Sequence, residues 1–442
     1  MVGLVMMRDT RARRTAMVPI HVRGTEEYDA RLAALSRRGE ADLARVEPQV
    51  RAILEAIRAR GDAALAEYTE RFDGARVERP LRPIADYAEI GARCPAEVRA
   101  LLEGAAARIR AYHEHQVDSG FGFERDGVRL GMRVRPVASA GVYAPGGKAR
   151  YPSTVLMTAV PAKVAGVRRI VLATPRPTPE IVAAAEIAGV TEILDAGGAQ
   201  AIGALAYGTE SIRPVEKIVG PGNLYVACAK KLVYGHVSID SIAGPSEILV
   251  VADEGADPAV VAADLLSQAE HDEDAYALLV TIDVATAEAV ARELERQVAE
   301  LPRAEIARAS LERHAEIFVA GDRAEAARIA DAMAPEHLCL AVADPEAMLE
   351  DIHAVGAAFL GDHTPEAAGD YAAGPSHVLP TGGAARFSSP LGVYDFVVRT
   401  SVIKYSAAAI EAQADLLEGL ARLEGLEAHA RAVSARRGLR SR

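Results

Sequence analysis

The chain has 442 residues, which is too long for a single compact core, so the length predicts two or more domains. Its composition, 50% hydrophobic and 25% charged, is typical of folded globular proteins. The net charge of −12, without any basic block, disfavours a nucleic-acid partner, and no apolar stretch is long enough to cross a membrane.

The N-terminal residues predict neither a targeting segment nor part of the fold. Their short apolar run comes before the arginines, which is the wrong order for a secretory signal, so we expect a flexible extension over residues 1–25. The three cysteines, Cys94, Cys228 and Cys339, are widely spaced and odd in number. They disfavour a disulfide framework or a thiolate zinc site and indicate a reducing compartment, so we expect a cytoplasmic protein.

The next segment is predicted to be helical. From residue 26 to residue 115, apolar residues recur at three- and four-residue spacing, with Gly61 and Gly74 as expected stops. The stretch GVRLGMRVRPVASAGVYAPGG at 127–147 instead alternates β-branched residues and ends in a proline–glycine turn. This pattern predicts strands that enter a loop.

Short apolar runs then alternate with amphipathic helices, the pattern of a parallel sheet covered on both faces. In the first block the predicted strands are RIVLAT, EILDAG and VEKIVG, and the predicted helices are PEIVAAAEIAG, AQAIGALAYG and NLYVACAKKLVYG. In the second block the predicted strands are EILVVAD, ALLVTID, EIFVAG, HLCLAVAD and AVGAAFLG, and the predicted helices span 258–271, 284–301, 322–333 and 345–352. The sequence therefore predicts an α/β fold with two sheets.

The remaining C-terminal part divides into a loop and a helical tail. Residues 362–405 are rich in glycine, proline and serine, which predicts a long functional loop. Residues 406–435 return to helical spacing, with regularly placed leucines.

Two turns in the α/β blocks are candidate ligand sites. The stretch IVGPGNLYVACAKK at 218–231 predicts a strand, a glycine turn and a helix, which could present backbone N–H groups to a phosphate. The dinucleotide fingerprint G-x-G-x-x-G is incomplete, because position 225 is a tyrosine, so the motif alone favours an ordinary turn. In AGPSEILVVAD, Ser246 could bind a ligand or only close its turn.

The stretch SQAEHDEDA places Gln268 and His271 one turn apart at the end of a predicted helix. Two ligands at this spacing can supply half of a metal's coordination shell. Amide oxygen is an uncommon zinc ligand, however, and the helix dipole accounts for a histidine at a helix C-terminus. Taken alone, this stretch favours a solvated helix end.

Further candidates for chemistry lie after the second block begins. In APEHLCLAV, Glu336 and His337 precede a predicted strand, and two adjacent groups of different pKa suit general acid–base work. The loop GDYAAGPSHVLPTGG adds Asp370 and His377, and the tail adds His429. Pooled with the glutamine–histidine pair, these nitrogen and oxygen ligands suffice for one borderline metal ion.

Together and in this order, these segments resemble the histidinol dehydrogenase family over roughly residues 26–435. The motifs that carry the resemblance are GVYAPGG, GGAQAI, GPGN, AGPSE, QAEH, PEHL, GDYAAGPSHVLPT and E-x-x-x-x-H in the tail. No single motif is sufficient, and their number and order make the resemblance specific.

The resemblance implies NAD and one zinc ion per subunit as cofactors, and it assigns roles to particular residues. The implied zinc ligands are Gln268, His271, Asp370 and His429. The implied catalytic pair is Glu336 and His337. The implied substrate contacts are Ser246, Gln268, His271, His337, Asp370, His377, Glu424 and His429. The implied NAD contacts are Tyr143, Gln200 and Asn223.

The family's architecture implies two incomplete Rossmann-like domains, N-terminal helices, and a C-terminal arm that completes the partner's site in an intertwined homodimer. The expected division is an extension (1–25), a helical segment packing on the second α/β domain (26–130), an NAD-binding domain (131–244), a metal and catalytic domain (245–385) and the arm (386–442). The tail residues Glu424 and His429 would then act on the neighbouring subunit.

The activity implied by the resemblance is NAD-dependent, four-electron oxidation of L-histidinol to L-histidine through bound L-histidinaldehyde, the last steps of histidine biosynthesis. One alternative is a related zinc- and NAD-dependent dehydrogenase for another amino or sulfonated alcohol. Another is a metal- or nucleotide-binding protein without turnover, which would be expected to lack one member of the Glu336–His337 pair.

Overall fold

The computed structural model describes residues 17–38, 43–74, 76–146 and 151–439. Within these residues the strands form two six-stranded sheets and one three-stranded sheet. Among the helices that they contain, none is long and apolar enough to cross a bilayer.

The strands and helices are numbered in chain order. The strands are β1 (Ile20–Val22), β2 (Leu81–Pro83), β3 (Phe121–Arg125), β4 (Val128–Pro136), β5 (Ser139–Tyr143), β6 (Arg169–Ala173), β7 (Glu192–Leu194), β8 (Lys217–Val219), β9 (Ser238–Ile239), β10 (Glu247–Ala252), β11 (Tyr276–Thr281), β12 (Glu316–Val319), β13 (His337–Ala341), β14 (Ala357–Leu360) and β15 (Val397–Tyr405). The α-helices are α1 (Glu26–Leu35), α2 (Leu43–Asp73), α3 (Ala88–Gly91), α4 (Ala96–Glu114), α5 (Pro152–Val164), α6 (Pro179–Ala188), α7 (Gly198–Tyr207), α8 (Leu224–Val233), α9 (Pro258–Ala269), α10 (Val284–Val298), α11 (Ala304–His314), α12 (Arg323–Met333), α13 (Pro345–Leu349), α14 (Glu366–Tyr371), α15 (Ala407–Leu423) and α16 (Glu427–Ser434).

The first large sheet has the strand order β2-β7-β6-β5-β8-β9 and is parallel except for β2. Its central strands are almost entirely buried, as expected for a sheet with helices on both faces. The chain runs outward from β5 through β6 to β7 and then returns to the other side of β5 with β8. The strand order therefore reverses between β5 and β8, where such sheets usually bind ligands.

The second large sheet has the order β1-β12-β11-β10-β13-β14, and all of its strand pairs are parallel. Its strand order reverses between β10 and β13, again at the middle of the sheet. The apolar runs EILVVA and HLCLA form these two central strands, and they are buried because helices cover both faces. The predicted α/β fold with two parallel sheets is thus confirmed.

Part of the extension predicted to be flexible belongs to the fold. Residues 20–22 form strand β1, which pairs with β12 at the edge of the second sheet, and Val18 is buried in the core beneath it. The prediction was wrong for this part because three residues are too short a run to show a periodic pattern. Residues 1–16 of the predicted extension lie outside the described residues.

Of the N-terminal helices, which were expected to pack on the second α/β domain, α1 lies against the second sheet. Tyr28 and Leu35 of α1 lie in the core of the second sheet. Helix α2 packs instead against α7 and α8, and Ile57 on its apolar face lies in the core of the first sheet. Helix α4 packs against α5 and α6. Periodicity shows that these helices have an apolar face, but not which sheet covers it.

Several helix boundaries differ from the predictions. Gly61 does not end α2. It lies within the residues of the helix and has a non-helical φ of 51°, which marks a kink. In the second block α9, α10 and α13 end two or three residues earlier than predicted, at Ala269, Val298 and Leu349. The final residues of each predicted helix turn out to be the connection to the next strand.

The segment predicted as one long loop at 362–405 contains regular structure at both ends. Helix α14 starts at Glu366, and β15 pairs with β4 along its full length in an antiparallel sheet completed by β3. We call this sheet together with α15 and α16 the arm. Its large exposed apolar side chains are Phe121, Phe123, Val398, Val402, Ile403, Leu416, Leu420, Leu423 and Leu426.

Candidate active site

The catalytic pair predicted from the sequence lies where β10 and β13 begin side by side. His337 is the first residue of β13, and Glu247 is the first residue of β10. The Glu247 backbone N–H donates to Oε2 of Glu336 at 2.8 Å, and the Glu247 carbonyl oxygen lies 2.9 Å from Nδ1 of His337. One residue's main chain therefore orients both side chains.

The surroundings tune these two groups toward acid–base chemistry near neutral pH. Burial lowers the pKa of His337, so its ring is neutral at pH 7. Because a carbonyl oxygen can only accept, Nδ1 carries the hydrogen and Nε2 is the basic nitrogen. Burial, and next the charge of Glu247, raise the pKa of Glu336 well above its usual range. Such a carboxyl group can exchange a proton at neutral pH.

Two carboxyl groups on the short helix α14 face His337. Oε1 of Glu366 lies 3.5 Å from His337 Nε2, and its Oε2 accepts a hydrogen bond from Ser267 Oγ at 2.9 Å. Burial, and next the charge of Glu366, raise the pKa of Asp370 to about 8. One donor atom from each of His337, Glu366 and Asp370 lies within 4.8 Å of the others, so this cluster could hold a cation.

The predicted glutamine–histidine pair lies beside this cluster. Helix α9 packs against α14, and Gln268 on its last turn is 1% exposed. Within the described residues, its Oε1 has no hydrogen-bond partner, although buried amide oxygens normally have one. His271 follows the helix and is near enough that its charge lowers the pKa of both His337 and His377. Gln268 is therefore buried beside the cluster and does not form a solvated helix end.

His377 connects this site to the first sheet. Its Nδ1 lies 3.0 Å from the Asp370 carbonyl oxygen, and its Nε2 lies 3.3 Å from Thr154 Oγ1 on α5. The neighbouring Ser376 donates its hydroxyl to the Met157 carbonyl oxygen on the same helix at 3.1 Å. Burial lowers the pKa of His377 to about 4, so the ring is neutral at physiological pH. The loop therefore holds a neutral histidine between the two sheets.

Two of the predicted site residues lie elsewhere in this chain. Glu424 follows α15 and His429 lies on α16, and both are exposed on the arm. In the part of the chain that the structure describes, neither side chain has a hydrogen bond or ion pair to the residues around His337. Ser246, by contrast, directly precedes Glu247 and is half-buried beside the pair.

The residues predicted to contact NAD lie at the carboxyl ends of strands in the first sheet. Tyr143 ends β5, and its hydroxyl accepts a hydrogen bond from the Gly198 N–H at 3.0 Å, at the start of α7. Gln200 is buried on the same helix, and Asn223 precedes α8. Tyr143 and Asn223 thus lie at the reversal of strand order between β5 and β8, where α/β folds usually bind ligands.

The glycine turn before α8 differs from a phosphate-binding loop. The side chain of Asn223 already accepts the N–H groups of Tyr225 and Val226, at 3.1 and 3.2 Å. These are N–H groups that the usual fingerprint would offer to a phosphate. The missing third glycine therefore reflects a helix start capped by its own asparagine.

Gly220 in this turn should not tolerate a side chain. Its φ is +116°, and a Cβ atom there would overlap the Tyr143 carbonyl oxygen. We expect Gly220→Ala to lower the free energy of unfolding by at least about 1 kcal/mol and to raise the KM for NAD. Thermal unfolding and NAD titration would measure both. The matched control is Gly235→Ala, because Gly235 also has positive φ (+96°) but open space around it. Equal effects of the two changes would contradict a role for the contact with Tyr143.

Two residues of the site were missed in the sequence. Glu366 was assigned to a loop, although the Thr-Pro-Glu triplet at 364–366 also occurs at 178–180, where α6 starts. That signal would have placed Glu366 and Asp370 one turn apart on a helix. Glu247 gave no signal, because a charged residue at a strand entry is usually solvated.

The fold and the site define a class of protein. The chain is an α/β protein with two mainly parallel sheets, a buried histidine–carboxyl centre on one sheet, and a strand-order reversal beside Tyr143 in the other. This arrangement is typical of an enzyme that brings a bound substrate to a second bound group.

Comparisons with known proteins place the chain within that class. The family model for histidinol dehydrogenase matches residues 36–437. The chain is 51% identical to histidinol dehydrogenase of Aquifex aeolicus over 413 residues, which are 93% of this chain and 97% of that protein. It is 50% identical to the Bacillus subtilis histidinol dehydrogenase, over 88% of this chain and 92% of that protein. The crystal structure of histidinol dehydrogenase from Elizabethkingia anophelis is similar with a TM-score of 0.89 and 35% identity, covering 95% of this chain and 98% of that one.

The chain belongs to the histidinol dehydrogenase family. The resemblance predicted from the motifs is therefore confirmed.

Proposed function

We propose that this protein oxidises L-histidinol to L-histidine through bound L-histidinaldehyde, with two molecules of NAD, as the last steps of histidine biosynthesis. The observation that carries the proposal is the Glu336–His337 pair, fixed by the main chain of Glu247 within a buried site. Family membership supports the substrate and the cofactor. A binding protein without turnover would not need both acid–base groups with shifted pKa values.

The first oxidation needs a base that takes the hydroxyl proton while hydride leaves the same carbon for NAD. His337 is suited to this role, because its Nε2 is basic and its Nδ1–H is fixed by the Glu247 carbonyl oxygen. The products of this step are the aldehyde, NADH and a proton held on His337.

The second oxidation needs the aldehyde to be hydrated first. Glu336 in its ionised form, a stronger base because its pKa is raised, accepts a proton from the attacking water as the water oxygen bonds to the aldehyde carbon, and protonated His337 gives its proton to the carbonyl oxygen to complete the hydrate. Once His337 has released its proton, it deprotonates the hydrate as a second hydride leaves for a second NAD. The buried site keeps the aldehyde from reacting with solvent between the two steps.

The residues present fit a zinc ion. The unpartnered amide oxygen of Gln268, the imidazole of His271 near His337, and the carboxyl group of Asp370 in the cluster with His337 and Glu366 are nitrogen and oxygen donors of the kind that zinc accepts. The raised pKa of Asp370 also means that a nearby positive charge would favour its ionised form. A bound zinc ion would orient the imidazole and amine groups of the substrate.

A second copy of the chain would supply the remaining ligands. The arm exposes a run of large apolar side chains on a sheet and a helix, which is typical of a surface that another chain covers. The same arm carries Glu424 and His429 in exposed positions. We therefore place His429 as the fourth zinc ligand and Glu424 as a substrate contact, both in the site of the partner subunit.

The NAD site would be the crevice between β5 and β8, lined by Tyr143, Gln200 and Asn223. His377 supports this placement, because it touches Thr154 on the helix that follows β5 while its loop borders the catalytic pair. We also place the reaction in the cytoplasm, which is consistent with three free, buried cysteines.

The proposed function predicts the stoichiometry of the reaction. We expect the purified protein to form two NADH per L-histidinol consumed, with L-histidine as product, measured by NADH absorbance and chromatography. Dialysis against a chelator should abolish the rate, and added Zn²⁺ should restore it, with metal content followed by elemental analysis.

The control substrate is an amino alcohol without an imidazole ring, which should give at most a small rate because it lacks one of the two metal-binding groups. No NADH from histidinol with metal-loaded protein would refute the proposal. Faster turnover of a sulfonated alcohol would instead support the related dehydrogenase.

A further inference from the structure

We propose that Glu247, locked by a buried ion pair with Arg38, is a positioning residue for the catalytic pair. The inference rests on the proposed function, because it assigns a role in that reaction. The Glu247 carboxylate is occupied by Arg38 and the Gly382 N–H. Glu247 acts through its main chain, which holds Glu336 by the N–H group and His337 by the carbonyl oxygen.

The side chain of Glu247 is fixed at both carboxylate oxygens. Arg38 donates from Nε to Oε1 at 3.0 Å and from Nη2 to Oε2 at 2.6 Å, the two-point geometry that best fixes a carboxylate. The Gly382 N–H donates to Oε1 at 2.8 Å. Three segments thus meet at this carboxylate, namely the end of α1, the start of β10 and the loop after His377.

The same loop is tied to the turn before β10 by a further bond. Thr381 Oγ1 accepts the Gly244 N–H at 2.5 Å, two residues before Ser246. Glu247 is therefore held from its side chain, from its neighbouring turn and from the strand pairing of β10 with β13. Its peptide groups have little freedom to move, so the bonds to Glu336 and His337 have a fixed direction.

Stability alone is a weak reason for this ion pair. The side chains of Arg38 and Glu247 are each 2% exposed, and removing two charges from water costs much of what their attraction returns. Apolar residues of similar size often stabilise a fold equally well. A charged two-point contact fixes the direction of the Glu247 main chain, whereas apolar packing would leave that direction less defined.

The chain contains a matched pair without this role. Arg31 on α1 binds Glu316, which opens β12 as Glu247 opens β10. Glu316 is buried like Glu247, whereas Arg31 is 45% exposed. Glu316 pairs with Leu278 of β11, and the bonds that hold Glu336 and His337 come from Glu247 instead. Loss of the Arg31 pair should therefore affect folding without affecting catalysis.

The test compares Arg38→Met with Arg31→Met in the full-length, metal-loaded protein. We expect Arg38→Met to lower kcat for histidinol on the order of 10- to 100-fold, because a small misplacement of reacting groups has effects of this size. The KM for NAD and the zinc content should not change. Arg31→Met should leave kcat within about twofold, and it should lower Tm less than Arg38→Met does, because Arg31 is 45% exposed.

Two further variants test the charge and the two-point geometry of the pair. Glu247→Gln keeps the size of the side chain and an acceptor for the Gly382 N–H but loses the charge, so it should lower kcat. Tm should fall as well, because the Arg38 guanidinium is left buried without a counter-charge. Arg38→Lys, which keeps the charge but offers only one-point contact, should recover part of the kcat lost in Arg38→Met. If Arg38→Met fails to fold, Glu247→Gln decides the question.

Equal losses of kcat in Arg38→Met and Arg31→Met would overturn the inference, as would an unchanged kcat in Glu247→Gln. The wild-type rate with histidinol tests the proposed function separately. An inactive wild type refutes the function, whereas an active wild type with unaffected variants refutes only the positioning role.

Discussion

His337→Asn is expected to abolish NADH formation from histidinol while the protein stays folded and binds zinc. Asparagine can still donate a hydrogen bond toward the Glu247 carbonyl oxygen, but it offers no basic nitrogen in place of Nε2. Removal of a general base typically lowers kcat by about 10²- to 10⁴-fold. Both oxidations use this base, so neither the first nor the second NADH should form at a normal rate. Stopped-flow absorbance and zinc analysis would measure the two effects.

The matched control for this change is His113→Asn. His113 is also fully buried and also has a pKa lowered by burial, but it lies on α4 and bonds to Gln116 rather than to the site. Its replacement should lower Tm and leave kcat close to the wild-type value. If His337→Asn turns over normally, the assigned base is wrong. If it loses zinc together with activity, His337 acts through the metal instead.

The position of this base on the sheet was only partly predictable. Ligands of parallel α/β sheets usually bind at the carboxyl ends of the strands, and the Tyr143 region follows that rule. His337 and Glu247 instead begin their strands, so the pair lies at the amino ends of the second sheet. The apolar run after Glu336 and His337 predicted that a strand begins there. It did not predict that β10 begins beside that strand, because the neighbouring strand is set by the topology of the sheet.

The fold was predictable where the pattern is long and repeated. Alternation of apolar runs and amphipathic helices predicted both sheets, because each run is a strand buried on two faces. Short elements escaped for the opposite reason. Strand β1 has three residues and α14 has six, too few for any period to show. Strand β15 was missed because its side chains are mostly exposed, so it lacks an apolar alternation.

The site was predictable from the resemblance, and much less from the residues alone. Gln268 and His271 are ordinary as a local pattern, and only the packing of α9 against α14 brings the end of α9 near the helix that carries Asp370. Arg38 and Glu247 are more than 200 residues apart, and no local rule pairs two charges over that distance. Long-range pairing of this kind follows from the topology of the sheets. The order of the strands and helices along the chain restricts the possible topologies but does not select one of them.

Mixing two inactive variants is expected to restore activity. His337→Asn changes a residue that each subunit contributes to its own site. His429→Ala changes the exposed tail residue that we place in the partner subunit's site. Each variant alone should have almost no turnover. After joint unfolding and refolding, a mixed dimer would contain one site with both changes and one site with neither. Random reassociation makes half of the dimers mixed, so about a quarter of the wild-type rate should return.

The control mixture combines His337→Asn with Asp370→Asn. Both changes lie in the body of the site, within 4.8 Å of each other, so a mixed dimer would contain no intact site and should stay inactive. Recovery in the first mixture but not in the second would show that the tail of one subunit completes the other's site. Without sharing, every site in the first mixture would carry one change, and its rate would remain near zero. His429 lies exposed on the arm in the single chain, so a contact with the site must come from another subunit. The difference in recovered rate between the two mixtures tests that contact.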